Sequence, residues 1–337
     1  STMGSSLQVG LTPEQHAIRR TGIAASEVEA VLGLSRYKSP LDVWAEKTGR
    51  VQPDWSPKSQ AAKMGHLLEP VVATLAEEWY NDTEHNVVLS QGETTVSRAF
   101  PWMIATPDRH VIAMGLDPWG DRVEVDRWLL EIKTKSWQTF KDFGAPGTDQ
   151  MPDSILLQTL WQMAVVGANR CDVAVLVDGR EFQMFRNTYN EELLTAVQDR
   201  VYDFWTRYVL TDTEPPVHNA TDVEYLRRKF KEPTAELMRP SVDMEGAVAR
   251  LAEAKAAAKV AEEQEEIAKA RVMQLLGGHT GVHTTYGKVS WGTVKGRAST
   301  DWKAVVAEAA VPHAIIEQHT TIGAPSRQFR FTPAKGE

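Results

Sequence analysis

Residues 100–135, FPWMIATPDRHVIAMGLDPWGDRVEVDRWLLEIKTK, leave the chain little freedom in what it can build. Thr106-Pro107-Asp108 predicts a turn, because proline fixes φ and aspartate hydrogen-bonds its own backbone. A strand follows, then a polar turn at Asp117-Pro118-Trp119-Gly120, then a second strand running into Glu131-Ile132-Lys133. Side chains alternate across a strand, so Glu131 and Lys133 project from one face while Leu130 and Ile132 project from the other. The apolar parity breaks along this second strand. Val123 and Val125 share the parity of Glu131, whereas Trp128, Leu130 and Ile132 take the opposite one. A bulge or bend near Asp126-Arg127 reconciles the two halves.

This unit places Asp108, Glu131 and Lys133 where they can meet. Two carboxylates suit a hard divalent cation, and a neighbouring ammonium orients or polarises an attacking water, a set fitted to metal-dependent phosphodiester hydrolysis. Taken alone, the same residues also describe a solvated strand face with one cross-paired charge. The rest of the chain bears on the choice. Its 337 residues are 42% hydrophobic and 24% charged, enough for one large domain or two moderate ones. No apolar run reaches membrane-spanning length and no secretory signal is expected, which points to a cytoplasmic setting. Cys171 is the only cysteine, which excludes a disulfide framework and any site built from several thiolates. A net charge of −8 argues against a protein that coats nucleic acid. Positive charge would have to be concentrated in a channel, or DNA engaged mainly at an end.

Residues 1–10 are small and polar and are set aside. Thr12-Pro13-Glu14 predicts a helix start, with Thr12 as N-cap. Ser26 reads either as the cap of a second short helix ending near Gly33, or with Arg20 and that helix N-terminus as a phosphate-binding set. Ser39-Pro40 starts a helix stopped by Gly49, and residues 65–80 form a buried one. Within it Glu69, just before Pro70, is either turned to solvent or held inward for a purpose. Strands are expected over 87–96, 172–177 and 181–186, and helices over 154–166 and 191–208. Gln158 and Gln162 share a helical face, where amides either satisfy backbone groups or serve a site. Strands and helices in this order suggest a mixed sheet with flanking helices. Residues 211–219 have linker composition. A helix over 242–276 follows, with an alanine-rich seam at heptad spacing through Met244, Leu251, Val272 and Leu275. It either lies on the preceding domain or forms a coiled-coil or partner-binding arm. Residues 284–294 with 328–332 suggest a small β element, and 333–337 a frayed tail.

Several pieces, in order over Thr12 to Tyr208, resemble the YqaJ-type viral recombinases, relatives of lambda exonuclease within the PD-(D/E)xK nuclease superfamily. They are Arg20-Thr21-Gly22 with Ala25-Ser26-Glu27, then Tyr37-Lys38-Ser39-Pro40 with Trp44 and Lys47-Thr48-Gly49. Next come Gly65 with Leu68-Glu69-Pro70, Pro101-Trp102-Met103 with Thr106-Pro107-Asp108, Leu130-Glu131-Ile132-Lys133-Thr134, and Gln158 with Ala164-Val165. The resemblance implies an α/β (α+β) restriction-endonuclease-like core over 11–210, followed here by a linker, 211–240, and a helical extension with a small β element, 241–337. It implies Asp108, Glu131 and the backbone carbonyl of Ile132 as metal ligands, with Glu69 as a further candidate. Lys133 would position the attacking water, Gln158 would be the active-site glutamine, and Arg20 and Ser26 would hold a 5′-phosphate. Leu160 stands where many relatives have a second glutamine, which puts any role for Gln162 in doubt.

The implied activity is a Mg²⁺-dependent 5′→3′ exonuclease on double-stranded DNA ends, using two cations, with Mn²⁺ as a substitute, and leaving 3′ single-stranded tails for phage-type recombination. A ring-shaped homo-oligomer, with a trimer favoured and a tetramer left open, and a single-strand annealing protein are the implied partners, in a bacterial cytoplasm. Two other readings stand beside it: a restriction- or repair-type endonuclease on the same fold, and a non-catalytic DNA-end-binding scaffold.

Overall fold

The computed structural model describes residues 11–53, 59–84, 86–325 and 327–332. The first ten residues, set aside above, and the last five, expected as a frayed tail, lie outside it. The chain divides into two compact units, the first ending at Lys229 and the second beginning at Phe230.

In the first unit, helix α1 (Pro13–Arg19) opens with a capping box. The Thr12 hydroxyl accepts the Gln15 N–H, and the Gln15 side chain accepts the Thr12 N–H. Strand β1 (Ile23–Ala24), a 3₁₀ turn (Ala25–Glu27), α2 (Val28–Val31) and α3 (Pro40–Lys47) follow, and Ser39 caps α3 in the same reciprocal way. Helix α4 (Gln60–Thr83) is longer than expected and runs straight through Pro70. Burial of Val72, Ala73, Ala76 and Tyr80 on one face offsets the ladder bond that proline removes.

Strands β2 (Val87–Gln91), β3 (Thr95–Val96), β4 (Met103–Ala105), β5 (Arg109–Leu116) and β6 (Arg122–Lys135) come next. After them come α5 (Trp137–Phe140), α6 (Asp153–Val166), β7 (Arg170–Val177), β8 (Glu181–Thr188) and α7 (Glu191–Phe204), which continues as one π-type turn. The main sheet has the order β2-β5-β6-β7-β8. Only β6 and β7 are parallel, and α5 and α6 supply the crossover that a parallel pair requires. A smaller sheet, β1-β4-β3, lies beside it. This is the mixed sheet flanked by helices that was expected. Helix α4 packs on Val111, Trp128, Leu130 and Ile132 of one sheet face. On the other face, Leu129 and Cys171 pack against Leu160, Trp161 and Met163 of α6.

The parity break is real. Ala113 pairs with Asp126 but Met114 with Glu124, so Val125 is the extra residue, one position before the expected site. Gly115 makes room for it, because a Cβ there would fall 2.6 Å from Val125 Cγ1.

The segment expected as a linker, 211–240, is built into the first unit as far as Lys229 and contains helix α8 (Asp222–Lys229). Buried Asp222 accepts the Ser39 hydroxyl and the backbone N–H groups of His218 and Asn219, and Tyr225 joins the core. In the second unit α9 (Val242–Leu276) occupies the expected span, capped by the Ser241 hydroxyl. Strands β9 (Gly281–Thr284) and β10 (Gly287–Ser290) form an antiparallel hairpin, followed by α10 (Trp302–Glu308) and α11 (His313–Gln318). Residues 328–332, expected to pair with this β element, are not in a strand.

Candidate active site

The β5–β6 ladder stops at Arg109 opposite Leu130, while β6 continues to Lys135 paired with β7 alone. One edge of β6 is therefore open from Glu131 onward, and the Pro107–Asp108 turn sits against it. The Ile132 N–H points into that gap and donates to Asp108 Oδ2 at 2.7 Å. In an extended strand a residue's N–H and C=O point to the same side, so the Ile132 carbonyl faces the gap as well.

Glu131 projects from the α6 face of the sheet and is only 4% exposed at its side chain. Each of its oxygens is held. Oε1 accepts from Lys133 Nζ at 2.6 Å and Gln158 Nε2 at 2.8 Å, and Oε2 accepts from Gln162 Nε2 at 2.8 Å. Lys133 Nζ also donates to Gln158 Oε1 at 3.0 Å, which closes a Lys133–Glu131–Gln158 triangle. Helix periodicity aligns Gln158 and Gln162, one turn apart on α6, along this carboxylate. Burial opposes the charge on Lys133, but the Glu131 and Asp108 carboxylates outweigh it and hold the ammonium above its ordinary range.

Three carboxylates gather here against two cations. Glu131 has Lys133, and Glu69 on α4 has Arg109 at 2.7 Å, while among the described residues the Ile132 N–H is the direct donor to the Asp108 carboxylate. Burial first, then the charges of Glu131 and Glu69, push the Asp108 carboxyl well above the usual carboxylate range. Among the described residues, carboxylates here outnumber their cationic partners by one, with Asp108 in no salt bridge.

The donor set decides which cation the gap could take. Among the described residues no group of three or more His, Cys, Asp and Glu side chains closes around one point. Asp108, Glu131 and the Ile132 carbonyl are hard oxygen donors. Mg²⁺ characteristically takes one or two carboxylates and completes its shell with water and substrate phosphate. A hard divalent cation of that kind fits. Cys171 beneath the site does not compete as a ligand, because burial above all, and the nearby carboxylates, hold its thiol protonated.

Arg20 and Ser26 are both exposed, but the structure brings Arg19 rather than Arg20 to Ser26, with Arg19 Nη2 donating to Ser26 Oγ at 2.6 Å. Nor does Ser26 cap a helix. It lies inside the 3₁₀ turn, and the Ala24 N–H that opens the turn is satisfied by Glu27 Oε2 at 2.8 Å. A buried ion pair braces this turn, with Lys47 Nζ 2.8 Å from Glu27 and donating to the Arg19 carbonyl at 2.6 Å.

Sequence reasoning undervalued three contributors. Gln162, whose role Leu160 put in doubt, is the sole donor to Glu131 Oε2 among the described residues; its position one turn after Gln158 was the available signal. Arg109 pairs with Glu69 and also donates to the Asp108 carbonyl at 2.6 Å. Gly92 packs so closely on the Asp108 turn that a Cβ would lie 1.7 Å from the Pro107 oxygen, which no local pattern announces.

The profile of the YqaJ-like viral recombinase domain matches residues 14–169, a span containing every residue of this site. The uncharacterized protein YqaJ of Bacillus subtilis (strain 168) is 26% identical over 219 residues, or 64% of this chain. The chain spans 62% of that relative's length. Among solved structures, the alkaline exonuclease LHK-Exo from Laribacter hongkongensis is similar at a TM-score of 0.44 and 19% identity, covering 65% of this chain and 97% of that one. A phage-related exonuclease from Haemophilus somnus 129PT is similar at a TM-score of 0.39 and 12% identity, covering 56% and 94%. The family profile rests on the residues that build the gap, and over residues 14–169 the chain is similar to the YqaJ-like viral recombinase domain.

Proposed function

We propose that the chain is a divalent-cation-dependent 5′→3′ exonuclease on double-stranded DNA ends that leaves 3′ single-stranded tails, with Mg²⁺ as the physiological ion. The observation that carries this reading is the convergence of Asp108, Glu131 and Lys133 at the open edge of β6. LHK-Exo and the Haemophilus protein are exonucleases by name, which agrees with the reading.

Asp108, Glu131 and the Ile132 carbonyl would hold the cation, which would supply Lewis-acid charge for phosphodiester hydrolysis. This chain's own residues do the rest. Gln158 and Gln162 fix the Glu131 carboxylate before substrate arrives, so no reorganisation is required at the moment of reaction. The Lys133 ammonium, anchored by Glu131 and Gln158, retains donor capacity to orient water toward the phosphorus. Asp108 would hold the cation as its carboxylate. Arg20 and Ser26, with Arg19 donating to the Ser26 hydroxyl and Lys47 and Glu27 bracing the turn, bind the 5′-phosphate that sets the direction of travel. Glu69 neutralises Arg109, which steadies the Asp108 turn.

A ring of identical subunits, trimeric by resemblance, and a single-strand annealing protein complete the proposal. No helix among the described residues is long and apolar enough to cross a membrane. The test is digestion in Mg²⁺ of linear duplex labelled at either strand end, with and without a 5′-phosphate, beside covalently closed circular duplex. Loss of the 5′ label first, with the circle intact, is expected. Cleavage of the circle would replace this reading by an endonuclease, and binding without cleavage by a scaffold.

A further inference from the structure

The charge of this chain is divided unevenly along its length. Residues 267–337 carry nine Lys and Arg against four Asp and Glu, a net of +5, which leaves −13 for residues 1–266. From Ile267 to Thr300 there is no acidic residue at all, in a stretch that would hold four or five at the chain's mean acid content. Five Lys and Arg and two His fall within it. Such asymmetry marks contact with a polyanion.

The fold displays this charge. In the β9–β10 hairpin His283 pairs with Lys288 and Val282 with Val289. Directly paired residues share a face, so one side of the ribbon is basic and the other apolar. Tyr286 stands at the two-residue tip, fully exposed at 101%. The tip is shaped by the Thr284 hydroxyl, which accepts the Tyr286 N–H at 3.2 Å and donates to the Gly287 carbonyl at 3.0 Å. Gly287 takes φ 145°, which a larger residue would adopt only under strain. Beyond the ribbon, the Trp291 N–H extends the pairing to the Thr280 carbonyl at 2.7 Å, and Lys295 and Arg297 follow, both exposed. Trp291, Trp302 and Phe329 are further exposed aromatic side chains of the same unit.

Cations interleaved with exposed aromatic rings are the recipe for holding single-stranded nucleic acid without regard to sequence. Lysine and arginine meet the phosphates, and rings stack on unpaired bases, which a duplex keeps stacked on one another. We infer that the β9–β10 ribbon and its flank through Arg297 bind single-stranded DNA, with Tyr286 stacking on a base and Lys288, Lys295 and Arg297 on the backbone. This inference rests on the nuclease reading for its biological occupant, the single-stranded tail left by digestion. It concerns residues outside the span matched by the family profile.

The test uses the full chain in EDTA, with fluorescence anisotropy of an oligothymidylate of about 30 nucleotides and of a duplex of the same length. Two variants are compared with wild type: Tyr286→Ala, and the triple change Lys288→Gln, Lys295→Gln, Arg297→Gln. All four positions are exposed, and melting curves confirm that folding is unchanged. The triple variant is expected to bind the single strand about tenfold or more weakly. Its slope of log affinity against log salt should fall by about two, at roughly 0.7 per lost phosphate contact. Tyr286→Ala should weaken binding about tenfold with the salt slope unchanged. Both variants should digest saturating linear duplex at the wild-type rate. Wild-type affinity and salt slope in the variants overturn the inference, as does wild-type binding to duplex alone. So does a loss of self-association with oligonucleotide binding intact. A wild-type protein that binds the oligonucleotide through these residues but digests no DNA sinks the nuclease reading and supports this surface.

Discussion

Gly92→Ala is the substitution whose effect the structure fixes most tightly. Gly92 is buried, its N–H donates to the Asp108 carbonyl at 3.1 Å, and the atoms nearest a Cβ there are all backbone: Pro107 O at 1.7 Å, Pro107 C at 2.6 Å and Asp108 C at 3.2 Å. Real Cβ contacts essentially never fall below 3.0 Å, so the two chain segments must part by about 1.3 Å or more. No side-chain rotation relieves the clash. Overpacking of this kind costs about 1–3 kcal/mol. Stretching the Gly92–Asp108 bond adds roughly 0.5–1.5 kcal/mol. A total near 2–4 kcal/mol lowers Tm by about 4–16 °C for a unit of this size, at roughly 2–4 °C per kcal/mol. The catalytic effect is separate, since moving Asp108 by about 1 Å should slow cleavage on the order of a hundredfold. Thermal melts and initial rates on linear duplex measure both. Gly120→Ala is the control: Gly120 has φ 88° and open space around it at the hairpin tip, so strain there should lower Tm and leave the rate unchanged. Wild-type rate and Tm in Gly92→Ala would refute the reasoning.

Gln162→Leu should slow cleavage about ten- to a hundredfold, as loss of a group that orients a ligand does. It should also cost roughly 1.5–3 kcal/mol in denaturant melts, because a buried oxygen of Glu131 loses its donor. Mg²⁺ should raise the wild-type Tm, with stabilisation approaching about 2.7 kcal/mol at a hundredfold excess over Kd, and Asp108→Asn should abolish the shift. At the far end of the sheet, hydrogen bonds from Arg170, then the charges of Arg170 and Arg186, hold Glu84 below its ordinary range. Its contribution is complete above the ordinary carboxylate range and is lost as pH falls through the depressed value. Glu84→Gln should therefore be less stable near neutrality and converge with wild type in acid; parallel stability–pH curves would exclude this.

The parts of the fold legible in sequence were those governed by local rules. Proline and aspartate at 107 and 108, alternation along 122–135, and Ser241 before a long helical pattern each specify their element without reference to distant residues. Even the bulge announced itself through parity and was misplaced by only one residue, because a parity switch marks the region of an insertion without naming the inserted residue. What escaped depends on partners far along the chain. Asp222 meets Ser39 across 183 positions, so residues 211–229 read as a linker until that partner is known. Adjacent arginines at the end of α1 look alike in sequence, and only the packed helix sends Arg19 to Ser26. Gly92 carries no signal, since its purpose is an absence of atoms beside Pro107.

The central claim is that Asp108, Glu131 and Lys133 act as one cleavage site at the open edge of β6. Single-turnover digestion of linear duplex in Mg²⁺ by Asp108→Asn, Glu131→Gln and Lys133→Ala tests it most directly, with folding checked by circular dichroism. Each variant should retain its fold, and each should lose about a thousandfold or more in rate, as groups acting as a unit do. A folded variant of any of the three that digests DNA within tenfold of wild type would contradict it.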